Sequence, residues 1–293
     1  MRKASLISAL SAALLALSSC GGELDMLGLF WTRSDTPDAR FEQSAAYNAT
    51  RGPIEISVPD EDYRVYAFTD FHTESTTRGL DAFVDAYLAD TDAAPFCICL
   101  GDVIDCTGNY DTFTTHIAPI TDRGEHSLFI TPGNHDIYFG QWEDYAERFH
   151  TSSYSFTVAV PSGARDFFLC LDSASGTLGR KQLDWARETL SAASRAGYRH
   201  ITVFTHTHFF KKDDSQGHTS NYEIEETYEL VSLFSETGVE LVLTGHDHSR
   251  EYTRFGGVDY YILDALDDEG ESQSWAEIIF GRSGIKLEYT PLY

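Results

Sequence analysis

Eight Asp, Asn and His side chains stand in five short clusters of this 293-residue chain, each directly behind an apolar run. Asp70 and His72 follow YRVYAFT, Asp102 follows PFCICLG, Asn134 and His135 follow SLFITPG, His206 follows ITVFT, and His246 and His248 follow ELVLTG. With His135 set aside, three oxygen donors of the Asp or Asn type and four imidazoles remain, a mixture suited to borderline divalent ions such as Zn, Mn, Fe or Ni. Seven donors are too many for one ion. They suit two ions sharing one bridging carboxylate, and ions roughly 3.5 to 4 Å apart can each hold one oxygen of a phosphoryl group. On that arrangement His246 and His248 serve different ions.

Side chains so distant in sequence meet only if strand ends deliver them to one place. The apolar runs at 63–70, 95–102, 127–136, 167–173, 201–206 and 240–248 have the composition of strands buried on both faces. Between them, 78–90, 179–197 and 222–238 carry apolar residues at intervals of three and four, and the last two close on Gly197 and Gly238, a helix-stop signal. Leu183 and Trp185 read as core residues of the second helix. The alternation predicts α/β layering around one extended sheet system, with functional groups just beyond the carboxyl ends of the strands. After residue 250, alternating apolar and polar residues with glycine-bearing turns predict hairpins. No repeat or linker interrupts the chain after residue 50, which predicts one catalytic-type domain over 49–293.

In order, DFH (70–72), GDVID (101–105), GNHD (133–136), FTH (204–206) and GHDH (245–248) resemble the pattern of the calcineurin-like metallophosphoesterase superfamily. Any one of these elements arises by chance; five in order, each behind an apolar run, are specific. The resemblance implies a four-layer α/β/β/α sandwich of mixed sheets flanked by helices, and a dinuclear phosphoesterase. By position it assigns Asp70, His72 and His248 to one metal, Asn134, His206 and His246 to the other, and Asp102 to the bridge. A hydroxide between the ions would attack phosphorus in line. His135 would face the substrate and assist the leaving oxygen, with Asp136 or Asp105 orienting it. The implied substrate is a phosphomonoester or phosphodiester of a small molecule or lipid headgroup. A binding protein without turnover is the alternative, and it predicts lost ligands, whereas all seven are present.

Departures from the pattern narrow the class. GDVIDCTG lacks the arginine that protein serine/threonine phosphatases carry after the second element. Asp105 stands where purple acid phosphatases have tyrosine, so a colourless divalent pair is expected. His208 stands where the family places proline; His206 is therefore the expected ligand and His208 a neighbour or substrate-facing residue. Plainer readings sit beside these. Asp105 would equally satisfy amides at a turn, and Asp172 and Ser173, which resemble a common feature of the family, are explained equally well by a strand-end turn. His116, His126, His150, His200 and His218 lack spaced partners and read as ordinary residues. Lys211 and Lys212 lie in an irregular stretch, 209–221, that is either a solvated loop whose charge Asp213 and Asp214 cancel or a lid over the site.

The balance of 21 basic against 46 acidic residues leaves a net charge of −25, which repels nucleic acid and, without a basic stripe, argues against a nuclease. At the start, Arg2 and Lys3 precede an apolar run from Leu6 to Leu17, shorter than the roughly 20 residues of a membrane span and typical of an export signal. LSSC at 17–20 resembles the bacterial lipobox, in which the cysteine is acylated. That implies a signal over 1–19, a membrane anchor through lipid on Cys20, a tether over 20–48, and a place in the cell envelope outside the cytoplasm. Cys97 and Cys99 share one strand face and read as buried thiols, poorly placed to bridge each other. A pairing of one of them with Cys106 or Cys170 stays open in an oxidising compartment.

Overall fold

The computed structural model describes residues 35–72, 77–90, 94–105, 108–213, 217–219, 222–266 and 272–292. The expected signal, Cys20 and Cys106 lie outside them. Fourteen strands are described: β1 (Ile54–Ser57), β2 (Tyr63–Phe68), β3 (Cys97–Cys99), β4 (Leu128–Ile130), β5 (Tyr154–Ala159), β6 (Arg165–Cys170), β7 (Ile201–Phe204), β8 (Lys211–Asp213), β9 (Gly217–Thr219), β10 (Leu241–Thr244), β11 (Glu251–Phe255), β12 (Val258–Ile262), β13 (Ser274–Gly281) and β14 (Gly284–Pro291). With them run α1 (Pro37–Arg51), α2 (Arg78–Ala89), α3 (Asp111–Thr121), α4 (Trp142–Phe149), α5 (Gly179–Ala196) and α6 (Ile224–Thr237). Each apolar run forms a strand shorter than itself. The residues left over at its end become the loop that carries the polar cluster.

The single extended sheet system expected from the alternation is in fact two sheets. One has seven strands in the order β1-β5-β6-β7-β10-β12-β11, the other five in the order β14-β13-β2-β3-β4, and β8 and β9 form a separate hairpin. The period-2 geometry of a strand shows why. In β2, Val65 and Ala67 join a core cluster shared with Phe156, Phe168, Phe204, Leu241 and Leu243 of the larger sheet. Their neighbours Tyr66 and Phe68 pack with Phe83 and Tyr87 of α2 and Phe113 and Ile117 of α3. Likewise Leu169, Val203 and Val242 of the larger sheet turn the other way, onto Leu190 of α5 and Leu230 and Phe234 of α6. Runs apolar on both faces therefore give each sheet one face for the other sheet and one for helices. The result is the expected α/β/β/α sandwich of mixed sheets.

The cysteines follow the same alternation, Cys97 and Cys99 on the helix side and Cys170 between the sheets. All three are buried free thiols. The tether expected over 20–48 needs a correction from Pro37 onward, because residues 37–48 belong to α1 and pack on the domain. Thr36 caps α1 through its side chain, with Pro37 in the first turn. Arg40, fully buried, donates from Nε to Asp172 Oδ2 at 2.8 Å and from Nη2 to Asp172 Oδ1 at 3.0 Å. Asn48 Nδ2 donates to the Ser153 carbonyl, and Phe41 lies 5.5 Å from Trp185 of α5. Among the described residues no helix is long and apolar enough to cross a membrane.

Candidate metal centre

The donors follow β2, β3 and β4 of one sheet and β7 and β10 of the other, sets that are each parallel. Their carboxyl ends meet across the sandwich: His206 Nδ1 donates to the Leu100 carbonyl at 2.8 Å, and His246 N donates to Asp70 Oδ2 at 2.8 Å. The backbone there is strained. Asp70 (φ 51°), His72 (46°), Asp102 (52°), His246 (75°) and His248 (55°) all take left-handed conformations that cost L residues about 1 kcal/mol or more each. Only two other non-glycine residues among those described, Phe139 and His150, do the same. The glycines of GNH and GH are required by close approach. A Cβ on Gly133 would land on Asp102 Oδ1, and one on Gly245 would land on Thr69 Oγ1.

Two groups of donors result. Donor atoms of Asp70, His72 and His248 lie within 4.8 Å of one another, as do those of Asp102, His206 and His246. In the first, His72 Nε2 is 3.3 Å from His248 Nε2, which is 3.4 Å from Asp70 Oδ1. In the second, His206 Nε2 is 3.1 Å from Asn134 Oδ1, 3.2 Å from His246 Nδ1 and 3.3 Å from Asp102 Oδ2. Each carboxylate divides its oxygens. Asp70 Oδ2 accepts from Thr69 Oγ1 and His246 N, while Oδ1 is buried without a hydrogen bond. Asp102 Oδ1 accepts from His135 N at 2.8 Å, and Oδ2 turns to His206. The Leu100 carbonyl requires a proton on His206 Nδ1, which leaves Nε2 as the donor to an ion.

Electrostatics agree with this division. Burial would raise Asp70, but the neighbouring His248 and the charge of His206 hold it well below the usual carboxylate range. Burial would also raise Asp102, and His206 reverses that. His206 itself, lowered by burial, is lifted by Asp102 to about 9, while burial and the neighbouring His206 press His246 down to about 4. Imidazole nitrogens aimed at each other beside ionised carboxylates, with one carboxylate oxygen orphaned, are what a cation would satisfy. The residues fit a divalent pair.

All seven expected ligands converge, with His135 beside them, its ring 4.8 Å from that of His72. Two carboxylates expected beside His135 have well-defined partners. Asp136, fully buried, accepts from the amides of Asp102, Val103 and Gly133 and so ties the second cluster loop to the third. Burial and the Asp102 charge push it up to about 7. Asp105 Oδ1 lies 3.1 Å from His72 Nδ1 and 3.7 Å from His135 Nδ1, so its closer partner is a ligand histidine. His72, Asp105 and His135 form a third trio within 4.8 Å. His208 is buried, its ring 5.6 Å from that of His246. Lys211 pairs with Asp247, between the two last ligands.

The residues that set the ligands were not legible as such in the sequence, Asp172 and Ser173 reading there as a strand-end feature. Thr69 was hidden as a strand residue. Ser173 Oγ accepts from Thr207 N at 2.8 Å and hydrogen-bonds Thr205 Oγ1 at 2.7 Å, bracketing His206 from both sides. Asp172 is the buried partner of Arg40. The available signal was the polar type of Thr69, Thr205 and Thr207 in otherwise apolar surroundings.

The model of the calcineurin-like phosphoesterase family matches residues 63–250. The chain belongs to that family and is a metal-dependent phosphoric ester hydrolase by class. No curated protein sequence matches it. Among solved structures, it is similar to a dimetal phosphatase from Danio rerio (TM-score 0.58, 13% identity, 79% of this chain and 96% of that one). It is also similar to a purple acid phosphatase from yellow lupin (0.61, 14%, 80% and 52%). A third is GAP50, the anchor in the inner membrane complex of Plasmodium (0.61, 14%, 79% and 85%). At such identities these likenesses concern the fold.

Proposed function

We propose that this chain hydrolyses a phosphomonoester or phosphodiester of a small molecule or lipid headgroup, outside the cytoplasm, with two divalent ions of the Mn, Fe, Zn or Ni kind. The observation carrying this reading is the convergence of six donors in two groups, with Asn134 against the second, beside His135. Asp70, His72 and His248 would hold one ion, Asn134, His206 and His246 the other, and Asp102 both. When bound, such a pair supplies Lewis acidity to the phosphoryl oxygens and lowers the pKa of water. The chain supplies the rest. In this reading His135, whose Nδ1 lies 3.7 Å from Asp105 Oδ1, gives a proton to the leaving oxygen. Asp136 keeps the loops of Asp102 and His135 in register.

Metal analysis followed by aryl phosphomonoesters and phosphodiesters with added Mn, Ni or Zn tests the reading. About two ions per chain are expected. Asn134→Ala should lose both metal and turnover, whereas His135→Ala should keep its ions and lose about 10²- to 10⁴-fold on a poor leaving group. Full turnover of that ester by His135→Ala contradicts the assignment. An anchoring or binding role without turnover, for which the Plasmodium neighbour's description as an anchor speaks, is the other reading; a metal-loaded chain inert on every ester would favour it. The export and lipid attachment implied by LSSC belong to the same proposal. Cys20→Ala in the full chain should move it from the membrane to the soluble fraction.

A further inference from the structure

We propose that Tyr138 and Phe139 form a recognition lip for the leaving group, so that this enzyme favours phosphoesters whose alcohol carries an unsaturated ring. The inference rests on the reading above, in which His135 faces the leaving oxygen. A succession of rings leads away from the donors: His72 to His135 at 4.8 Å, His135 to Tyr138 at 5.8 Å, and Tyr138 to Phe139 at 6.2 Å between centroids. An alcohol departing past His135 meets Tyr138 next, at spacings within which aromatic rings stack or meet edge to face.

Phe139 has no account within the fold. It is 51% exposed, so its ring gains little from burial, and it holds φ 54° and ψ 29°, a conformation in which glycine would be less strained. The turn that presents it is fastened on both sides. Ile137 and Tyr138 amides donate to the Asn134 carbonyl, Gln141 N donates to the Tyr138 carbonyl, and Gln141 Nε2 donates to the Gly108 carbonyl at 2.6 Å. Ile137 and Trp142, on either side, are buried in the core beneath α2 and α3. The aromatic pair is thus held in place before any ligand arrives, which lowers the ordering cost of binding. Residues 137–141 are uncharged on a chain of net charge −25, so a neutral ring suits this lip better than a second anionic group.

Benzyl phosphate and n-butyl phosphate release alcohols of similar acidity and differ in the ring, and adenosine 5′-monophosphate and ribose 5-phosphate form a second pair that separates a nucleobase from a simple aryl ring. The metal-loaded wild type should prefer the ring-bearing member of at least one pair by about tenfold in kcat/KM. Phe139→Gly relieves the backbone and removes the ring. It should bring that ratio to about one through KM, and Tyr138→Leu should lower it in the same direction. A wild type with no preference in either pair, or a Phe139→Gly variant that keeps the preference, overturns the lip while leaving the phosphoesterase reading intact. A wild type that turns over none of the four esters, nor the aryl panel, overturns both.

Discussion

Asp70, Asp102 and His206 of the donor groups are each held by a neighbour that gives one of their atoms a fixed task. Thr69 and the His246 amide occupy one oxygen of Asp70, the His135 amide occupies one oxygen of Asp102, and the Leu100 carbonyl sets the tautomer of His206. This is why Gly133 has no side chain. A methyl there would strike Asp102 Oδ1 and the Asp102 amide, so the loop must move or the carboxylate must turn. Gly133→Ala should lose about 1 to 3 kcal/mol of stability, as overpacking does, and fall below two ions per chain. Urea midpoints and metal content measure both; an unchanged midpoint with full metal would contradict the close-approach account.

Among the elements, α1 depends on polar contacts more than the others. Its buried residues are Arg40 and Ser44, and Arg40 forms two bonds to Asp172, which follows β6 immediately before Ser173. Cutting one partner of a buried ion pair leaves the other charge uncompensated, at a cost of about 3 to 5 kcal/mol. Arg40→Met should therefore destabilise the domain by that order. The double variant Arg40→Met, Asp172→Leu should recover much of it, because neither charge remains. Thermal or chemical unfolding of the two variants decides the point, and equal stability of the single variant and wild type would show that α1 docks by its apolar contacts alone.

For the whole molecule, the decisive contact is between the sheets, and at one edge it is polar. His200, just before β7 of the larger sheet, contacts Glu240 through Nδ1 at 2.9 Å and the carbonyl of Gly281, in β13 of the smaller, through Nε2 at 2.9 Å. Burial would lower its pKa, but the bonds to Glu240 and Gly281 prevail and raise it above the usual histidine value. A raised folded-state pKa stabilises the fold fully below the unfolded value near 6.5, and that contribution fades as pH rises through the folded value. The stability penalty of His200→Gln should accordingly be larger at pH 5.5 than at pH 9. Urea unfolding at both values checks the sign, and a larger penalty at pH 9 would refute it.

The apolar runs and their polar ends carried much of this in linear form. A strand buried on both faces must be apolar at successive positions, and its carboxyl end is where the chain leaves hydrogen bonding to the sheet, so DFH, GDVID, GNHD, FTH and GHDH announced the donors. Short-range pattern also located α2, α5 and α6. It could not reveal α1, whose inward face is Arg40 and Ser44, because a polar residue reads as solvated until its buried partner is known. Nor could it separate one sheet from two, since a strand's outward and inward faces look alike when both are apolar. The assignment of Asp136 to backbone amides, of Asp105 to His72 and of Lys211 to Asp247 was likewise beyond spacing. Each depends on which atoms the tertiary fold brings within about 3 Å, where a hydrogen bond or ion pair forms, and sequence distance does not encode that.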